Sequence, residues 1–428
     1  MAGLIMADLL KRIGKRLCFA GVPVSQLTER FDTPLYVISE KRIRENYRRI
    51  RKELSKHYSK VRIYYSAKAN TNHSVLKILS EEGSHLDAVS TGEIYLAKKA
   101  GFPSEKILFT GTSVRNDELK YLLKAKVTIN IDSLSQLERL LKIEVPKKLS
   151  FRLNPEVGAG HHDKCITAGK RAKFGLWEDE VIKGYREAFK KGVDHFGIHM
   201  HIGSGIMSVE PYLLAMKKLL KVAQKVQEKT DLLFDFVDIG GGLGIPYKPE
   251  DEVFDLELFA REACELYKKL IEDYDLGTPA LCVEPGRYIV GDSSVLITRV
   301  NTIKRNPYKC YLGVDAGFNT LIRPAMYDSY HEVLVEKESE DEEVYDIAGP
   351  ICESGDLLAK DRKLPKMEEG DLLIVLDVGA YGFSMSSKYN SRPLPAEVLI
   401  NKKKVVLIRR RESFSDLMRG QTIAEWLK

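Results

Sequence analysis

Tyr64-Tyr65-Ser66-Ala67-Lys68-Ala69-Asn70 closes a run, Val61 to Tyr65, whose β-branched and aromatic residues read as a buried strand. The strand is expected to end at Lys68, where Asn70-Thr71-Asn72 supplies turn and helix N-cap chemistry. An ammonium at the carboxyl end of a buried strand is partly desolvated. Its pKa falls, and the amine becomes a usable nucleophile toward carbonyls. Most lysines are surface residues, so Lys68 alone reads as a rim lysine reaching to solvent. The residues downstream reverse that reading.

Outward from this stretch a rhythm begins. Apolar strands are expected at Arg62-Ser66, His85-Val89, Ile107-Thr110, Val127-Ile131, Leu149-Leu153, Phe196-Ile202, Phe234-Ile239 and Leu281-Val283. Helical patterns such as Gly92 to Lys99 and Pro211 to Val226 lie between most of them. Eight strands alternating with helices over about 220 residues predict a parallel sheet, and eight is the closure number of a (β/α)8 TIM-like barrel. A doubly wound open sheet is the alternative. Ahead of the barrel, Thr33 to Ile38 reads as a strand, and Glu40 to His57 as a helix with Ile43, Tyr47, Ile50 and Leu54 on one face. The rhythm stops near Gly291. Beyond it come short strand-like segments, among them Val295-Thr298, Cys310-Val314, Val344-Ile347, Leu372-Leu376 and Val405-Ile408, with helical patterns only at Ser413-Met418 and Thr422-Lys428. This predicts a C-terminal all-β sandwich or small barrel. The expected organisation is a barrel over residues 39–292 and a β-rich domain built from 1–38 and 293–428. Lys337 to Glu343 reads as a solvated hairpin loop.

With 428 residues the chain can bury a large core, and two domains are the natural division. Its 44% hydrophobic and 30% charged residues are ordinary for a soluble globular protein. The net charge of +6 is small for this length and both signs are interleaved, for example from Lys360 to Glu369, so no nucleic-acid partner is indicated. The six cysteines, at positions 18, 165, 264, 282, 310 and 352, show no CxxC pair and no zinc spacing, and read as reduced thiols of an intracellular, cytoplasmic protein. No apolar run approaches the ~20 residues of a membrane span. Met1 to Leu17 lacks a proper apolar h-region and cleavage site and reads as a short amphipathic helix.

Functional side chains of a barrel belong at the carboxyl ends of its strands. Lys68, Asp87, Arg152, His199, His201, Asp238 and Glu284 sit at those expected ends, where filler would be Val, Ile or Leu. Gly240-Gly241-Gly242 after the seventh strand lets backbone N–H groups approach a phosphate, although a plain tight turn would look the same. The glycine spacing fits neither a dinucleotide fingerprint nor a P-loop. Glu284-Pro285-Gly286-Arg287 places a carboxylate and a guanidinium around a rigid bend. This is either a structural ion pair, or a carboxylate for a protonated ring nitrogen with an arginine for a phosphate or carboxylate. His199-Met200-His201 puts two imidazoles on one side of a strand; a metal hydrolase would want that pair earlier and more histidines elsewhere, so no metal is expected. In Gly349-Pro350-Ile351-Cys352-Glu353-Ser354-Gly355-Asp356, a cysteine beside two acids lies in a glycine-bracketed loop.

Taken in order, the strings YYSAKAN, DAVSTGE, FRLNPEV, KFGL, HMHIGS, DIGGGLG, EPGR, GPICESGD and GAYGFSMSSKYNSRPLPAEVL resemble the fold-type III pyridoxal-phosphate decarboxylases, from about Thr33 to about Ile400. The Cys-Glu-Ser-Gly-Asp string is similar to the branch that converts meso-2,6-diaminopimelate to L-lysine and CO2. In the ornithine-acting branch the loop usually reads Cys-Asp-Gly. The resemblance implies pyridoxal 5'-phosphate as cofactor, joined to Lys68, with His201 stacked on its ring and Glu284 paired with the ring nitrogen. It places Ser204, Gly241, Gly242, Gly286 and Arg287 at the phosphate, and Asp87 and Arg152 near the lysine and ring. Arg287, Arg323 and Tyr327 match ligands of the substrate carboxylates, and Tyr381 a residue touching both phosphate and substrate. The resemblance further implies a homodimer with shared sites, to which Cys352 (proton donor) and Glu353 (ligand of the distal amine) come from the other subunit. Rival readings are a related decarboxylase of ornithine, arginine, lysine or a carboxyspermidine, a non-catalytic relative, and a metal-dependent barrel hydrolase.

Overall fold

The computed structural model describes residues 9–428. The chain divides into two compact units. One comprises the residues up to Arg42, Tyr247–Asp251 and Gly291–Lys428, and the other Ile43–Pro246 with Glu252–Val290.

The second unit is a closed barrel of eight parallel strands in sequence order. They are β1 (Val61–Ser66), β2 (His85–Ala88), β3 (Ile107–Phe109), β4 (Thr128–Ile131), β5 (Lys148–Arg152), β6 (His195–His199), β7 (Phe234–Gly241) and β8 (Ala280–Glu284). Closure is made by β8 against β1, with Leu281 opposite Val61 and Val283 opposite Ile63. Every strand found by the hydrophobic rhythm is present, and the open-sheet alternative is excluded. Strand ends differ by a few residues. β6 stops at His199 rather than Ile202, whereas β7 runs on through Gly240 and Gly241. β1 stops at Ser66, and Lys68 rides on a single 3-10 turn, Ala67–Ala69. Four of the helices between strands have side-chain caps, the first within the expected Asn70–Asn72 stretch. Asn72 accepts from the Ser74 N–H, and Ser90, Ser133 and Asp255 do the same for later helices. In Glu40–His57, Ile43, Tyr47, Ile50 and Leu54 are all buried on the expected face.

The other unit is built on a nine-stranded sheet. Its main path runs Leu357–Pro365, Glu342–Ala348, Cys310–Val314, Ser294–Arg305, Leu35–Ser39, Ala396–Asn401, Lys404–Arg409. Val333–Val335 pairs with Leu372–Val375, which pairs with Ser294–Arg305. Alternate residues feed two cores. Tyr36, Leu296, Leu373 and Val375 enter one, while Leu35, Val37, Val295, Ile297 and Ile374 enter the other. A sheet covered on both faces needs unbroken apolar strands, which is why these segments show no polar alternation.

Three expectations need correction here. The amino-terminal helix is not formed where it can be seen: Leu10–Ile13, Arg16–Phe19 and Val22–Pro23 make an antiparallel meander, in which Leu10, Leu17 and Phe19 join a core. The rest of that expectation, residues 1–8, lies outside the described residues. The charged run Lys337 to Glu343 is not a hairpin turn. The strands flanking it pair with other partners, and Lys337 is held by Glu368 and Asp371 at 3.4 and 3.5 Å, while Glu338 meets Arg12 at 3.0 Å. The C-terminal helical patterns shrink to Phe414–Leu417 and a 3-10 turn at Glu425–Leu427, and a short helix without strong periodicity, Arg323–Tyr327, appears instead.

Candidate active site

Lys68 sits where its turn is braced from both sides. Tyr65 donates to the Asn70 carbonyl (2.9 Å), and the Ser66 hydroxyl donates to the Glu284 carbonyl (2.9 Å). The turn is thereby tied to the end of β8. The Lys68 ammonium meets Asp87 Oδ2 at 2.5 Å, and the other oxygen of that fully buried carboxylate accepts from the Thr110 hydroxyl. A charge pair at this distance, with one partner out of water, holds the lysine's position far better than an exposed pair would.

A cavity of about 380 Å³ opens beside it, lined among others by Lys68, Arg152, Phe174, His199, His201 and Glu284. Arg152, the last residue of β5, lays its guanidinium over the Phe174 ring, 4.7 Å from the centroid. The Thr167 hydroxyl lies 2.9 Å from His201 Nδ1 and donates to the His201 carbonyl at 3.1 Å, which orients the ring. Burial, and then the charges of Lys68, Arg152 and His199, push the His201 imidazole well below its ordinary pKa, so the ring is neutral.

His199, Asp238 and Glu284 close one side, with polar atoms within 4.8 Å of one another. His199 Nε2 and Glu284 Oε1 are 3.3 Å apart, close enough for attraction but not aligned as a hydrogen bond. Asp238 Oδ2 has no hydrogen-bond partner among the described residues either. Burial opposes ionisation of Glu284, but His199, Lys68 and Arg152 outweigh it and hold that carboxyl below its ordinary range. Burial and the Glu284 charge drive Asp238 the other way. The result is an ionised Glu284 in the cavity lining, its Oε1 turned toward His199, and a carboxylate there suits a protonated ring nitrogen. The three residues are also metal-ligand types, but the positive charges of Lys68 and Arg152 act on the same carboxylate and disfavour a second cation.

The glycines of β7 leave room that no other residue could. Gly241 pairs with Glu284, and a Cβ there would lie 1.9 Å from the Glu284 carbonyl oxygen. At Gly242, with φ +101°, a Cβ would lie 2.4 Å from the Gly203 oxygen. Arg287 donates to the Ser204 hydroxyl at 3.0 Å, and Gly286 packs against Ser66 and Ala69 beside the lysine turn. These residues of the expected phosphate cradle thus border the same strand ends. Gly241→Ala should lower stability by about 1–3 kcal/mol through forced backbone movement, read as a fall in the denaturation midpoint of the cofactor-free protein.

In the sheet unit, Arg323 begins its short helix and is 1% exposed. Tyr327 ends that helix and is half-buried, and Tyr381 adopts φ +58°. Cys352 is exposed; its N–H donates to Asn390 Oδ1 at 3.0 Å, and the Asn390 amide donates to its sulfur at 3.2 Å. Glu353 accepts from the Tyr389 hydroxyl at 2.7 Å, and Tyr389 stacks on Phe318. Below the loop, Asp356 accepts from the Ile351 and Phe318 N–H groups.

Residues 40–291, which carry Lys68, the glycines at the end of β7 and Glu284, match the family model described as pyridoxal-dependent decarboxylase, pyridoxal binding domain. The chain belongs to the pyridoxal-dependent decarboxylases. It is 54% identical to a diaminopimelate decarboxylase of Methanothermobacter thermautotrophicus over 411 residues, 95% of this chain and 96% of that one. A diaminopimelate decarboxylase of Archaeoglobus fulgidus is 43% identical over 96% of this chain and 98% of its own length. A crystal structure of the Methanocaldococcus jannaschii diaminopimelate decarboxylase with L-lysine superposes with a TM-score of 0.92 at 34% identity, covering the whole of both chains.

This pyridoxal-dependent decarboxylase has site neighbours that sequence reasoning did not assign. Phe174 and Glu93 lie inside strings that were noticed, KFGL and DAVSTGE, but nothing in their type announced a role. Thr110 and Thr167 are common residue types whose importance comes from what they touch. Glu93, held by the Val89 N–H and close enough to feel the Lys68 and Asp87 charges, has its carboxyl pushed up to about 7 by burial. Because the folded value lies above the free one, its stabilising contribution is present below pH 4.5 and is lost as pH rises to about 7. Glu93→Gln should remove that decline, gaining up to about 3 kcal/mol over the native protein at neutral pH, as denaturant unfolding at pH 4.5 and 7.5 would measure.

Proposed function

We propose that the protein decarboxylates meso-2,6-diaminopimelate to L-lysine and CO2, the last step of lysine biosynthesis, in the cytoplasm and as a homodimer. One observation supports the site reading: Lys68, paired with Asp87, and Glu284 line a single cavity, and the glycine turn at the end of β7 packs directly against the Glu284 backbone. Pyridoxal phosphate, once bound, supplies an electron sink for the pair left by the departing carboxylate.

The chain's own residues divide the remaining work. Lys68 would hold the cofactor through its amine, and Asp87 would balance the positive charge on that nitrogen. Glu284 would accept from the ring nitrogen and keep it protonated. His201, neutral and fixed by Thr167, would cover one ring face, and Arg152 contributes positive charge nearby. Ser204, Gly241, Gly242, Gly286 and Arg287 hold the phosphate. Residues 39–292 are the cofactor-binding part, and the β-rich remainder serves the dimer and its neighbour's site. Arg323, Tyr327 and Tyr381 read the carboxylate-bearing end of the substrate. Each subunit lends Cys352 to the other's site to return a proton to the carbon that lost CO2, and Glu353 to accept from the distal amine. The exposure of Cys352 and Glu353, on a loop braced by Asp356, supports that lending. Six cysteines without disulfides support a reducing compartment, and among the described residues no helix is long and apolar enough to cross a membrane.

Purified protein loaded with pyridoxal phosphate should release CO2 and lysine from meso-diaminopimelate, and turn over ornithine, arginine, lysine and a carboxyspermidine at least about 10²-fold less well. Equal or better turnover of any of the latter would overturn the substrate assignment.

A further inference from the structure

Arg323 is a charged side chain almost wholly removed from water, and such a group needs directed partners if its fork is to point one way. One partner is His331, which is 0% exposed. Its Nδ1 lies 2.7 Å from the Leu376 carbonyl, an acceptor only, so Nδ1 carries the proton. Its Nε2 therefore presents a lone pair, and Arg323 donates to it from Nη1 at 2.8 Å. The Ser329 hydroxyl takes Nη2 at 3.3 Å, and the Tyr247 ring lies under the guanidinium carbon at 4.6 Å. Tyr247 in turn meets the His331 ring edge-on at 5.2 Å. A sheet-end carbonyl thus fixes the tautomer of a histidine, and the histidine fixes the roll of an arginine about its long axis.

We propose that His331 is a positioning residue for substrate selection: it aims the Arg323 guanidinium without adding charge, and so sets the affinity for the carboxylate at the end of the substrate that does not react. A carboxylate partner in its place would hold Arg323 as firmly but would compete with the substrate for the same positive charge; a neutral nitrogen acceptor does not. This inference rests on the reading of Arg323 as a substrate-carboxylate ligand.

The test uses the cofactor-loaded enzyme and two probes, followed through the visible absorbance of the bound cofactor. L-Lysine retains the unreacted amino-acid end, and cadaverine has lost it. His331→Phe should raise the Kd of lysine about tenfold, the scale of a charge-assisted hydrogen bond, with the Kd of cadaverine and the affinity for pyridoxal phosphate unchanged. KM for diaminopimelate should rise more than kcat falls. His331→Gln, whose amide can donate to Leu376 and accept from Arg323, should stay close to native. Should His331→Phe fail to fold, His331→Met carries the same arm, because a flexible apolar chain tolerates the site better. In an Arg323→Met background, His331→Phe should add nothing further. Unchanged lysine affinity in the His331 variants, with Arg323→Met still weakening it, overturns the inference alone. Unchanged lysine affinity in Arg323→Met overturns the underlying role of Arg323 and the inference with it. Equal loss of lysine, cadaverine and cofactor binding overturns the positioning role in favour of a general packing one.

Discussion

Lys68→Ala is expected to lose the visible absorbance of the lysine-joined cofactor and at least about 10³-fold in turnover. The size of the effect follows from how much converges on one nitrogen. The ammonium is 2.5 Å from Asp87, on a turn tied by Ser66 to the end of β8. Among the described residues that line the cavity no second lysine is placed to substitute: Arg152 is a guanidinium, and His201 is held neutral by burial and by the surrounding positive charges. Removing Lys68 also leaves Asp87, fully buried, without its ion-pair partner. Part of any stability loss would therefore come from that carboxylate. Lys68→Ala combined with Asp87→Asn separates the two contributions: stability should recover and activity should not. Native-like turnover by Lys68→Ala, at any pH, would remove the lysine from the chemistry.

The second large effect is a gain. Lys68→Ala and Cys352→Ala proteins, each inactive, should recover about a quarter of native activity when mixed and allowed to exchange subunits. In a symmetric dimer, random exchange makes half of the dimers hybrid. Each hybrid has one site with both residues altered and one with both intact. The physical basis is that Cys352 and Glu353 sit on an exposed loop held by Asp356, Asn390 and the Phe318–Tyr389 stack. That loop is rigid enough to present a thiol to another molecule without ordering it anew. Absence of recovery, with exchange demonstrated by mass spectrometry of tagged subunits, would mean each site is completed within one chain.

Much of this molecule was legible from residue order because two physical periods are strong. A barrel strand is buried on both faces, so it appears as an unbroken apolar run, and eight such runs spaced by helices leave few alternatives. Functional groups on a barrel occupy strand ends, so Asp87, Arg152, His199 and Glu284 stood out as polar residues where filler belongs. The failures have equally local reasons. Met1 to Leu17 was read as a helix because its apolar and basic residues suit either period over so short a span. The choice was made by a sheet core that takes Leu10, Leu17 and Phe19. The charged run at 337–343 looked like free hairpin surface because partners distant in the chain, such as Arg12, Glu368 and Asp371, leave no local trace.

The amino-acid order by itself determined the barrel, the lysine at its mouth, the glycines at β7 and the membership of a cofactor-dependent family, since each is written in contiguous strings or fixed periods. Only the tertiary structure decided which partners tune those residues. Thr110 on Asp87, Thr167 on His201, Glu284 beside His199, and His331 behind Arg323 are meetings across a few ångströms of space between segments whose separation along the chain carries no signal. Hydrogen bonds and charge shifts depend on distance and burial, and a linear sequence holds neither until the chain has closed on itself.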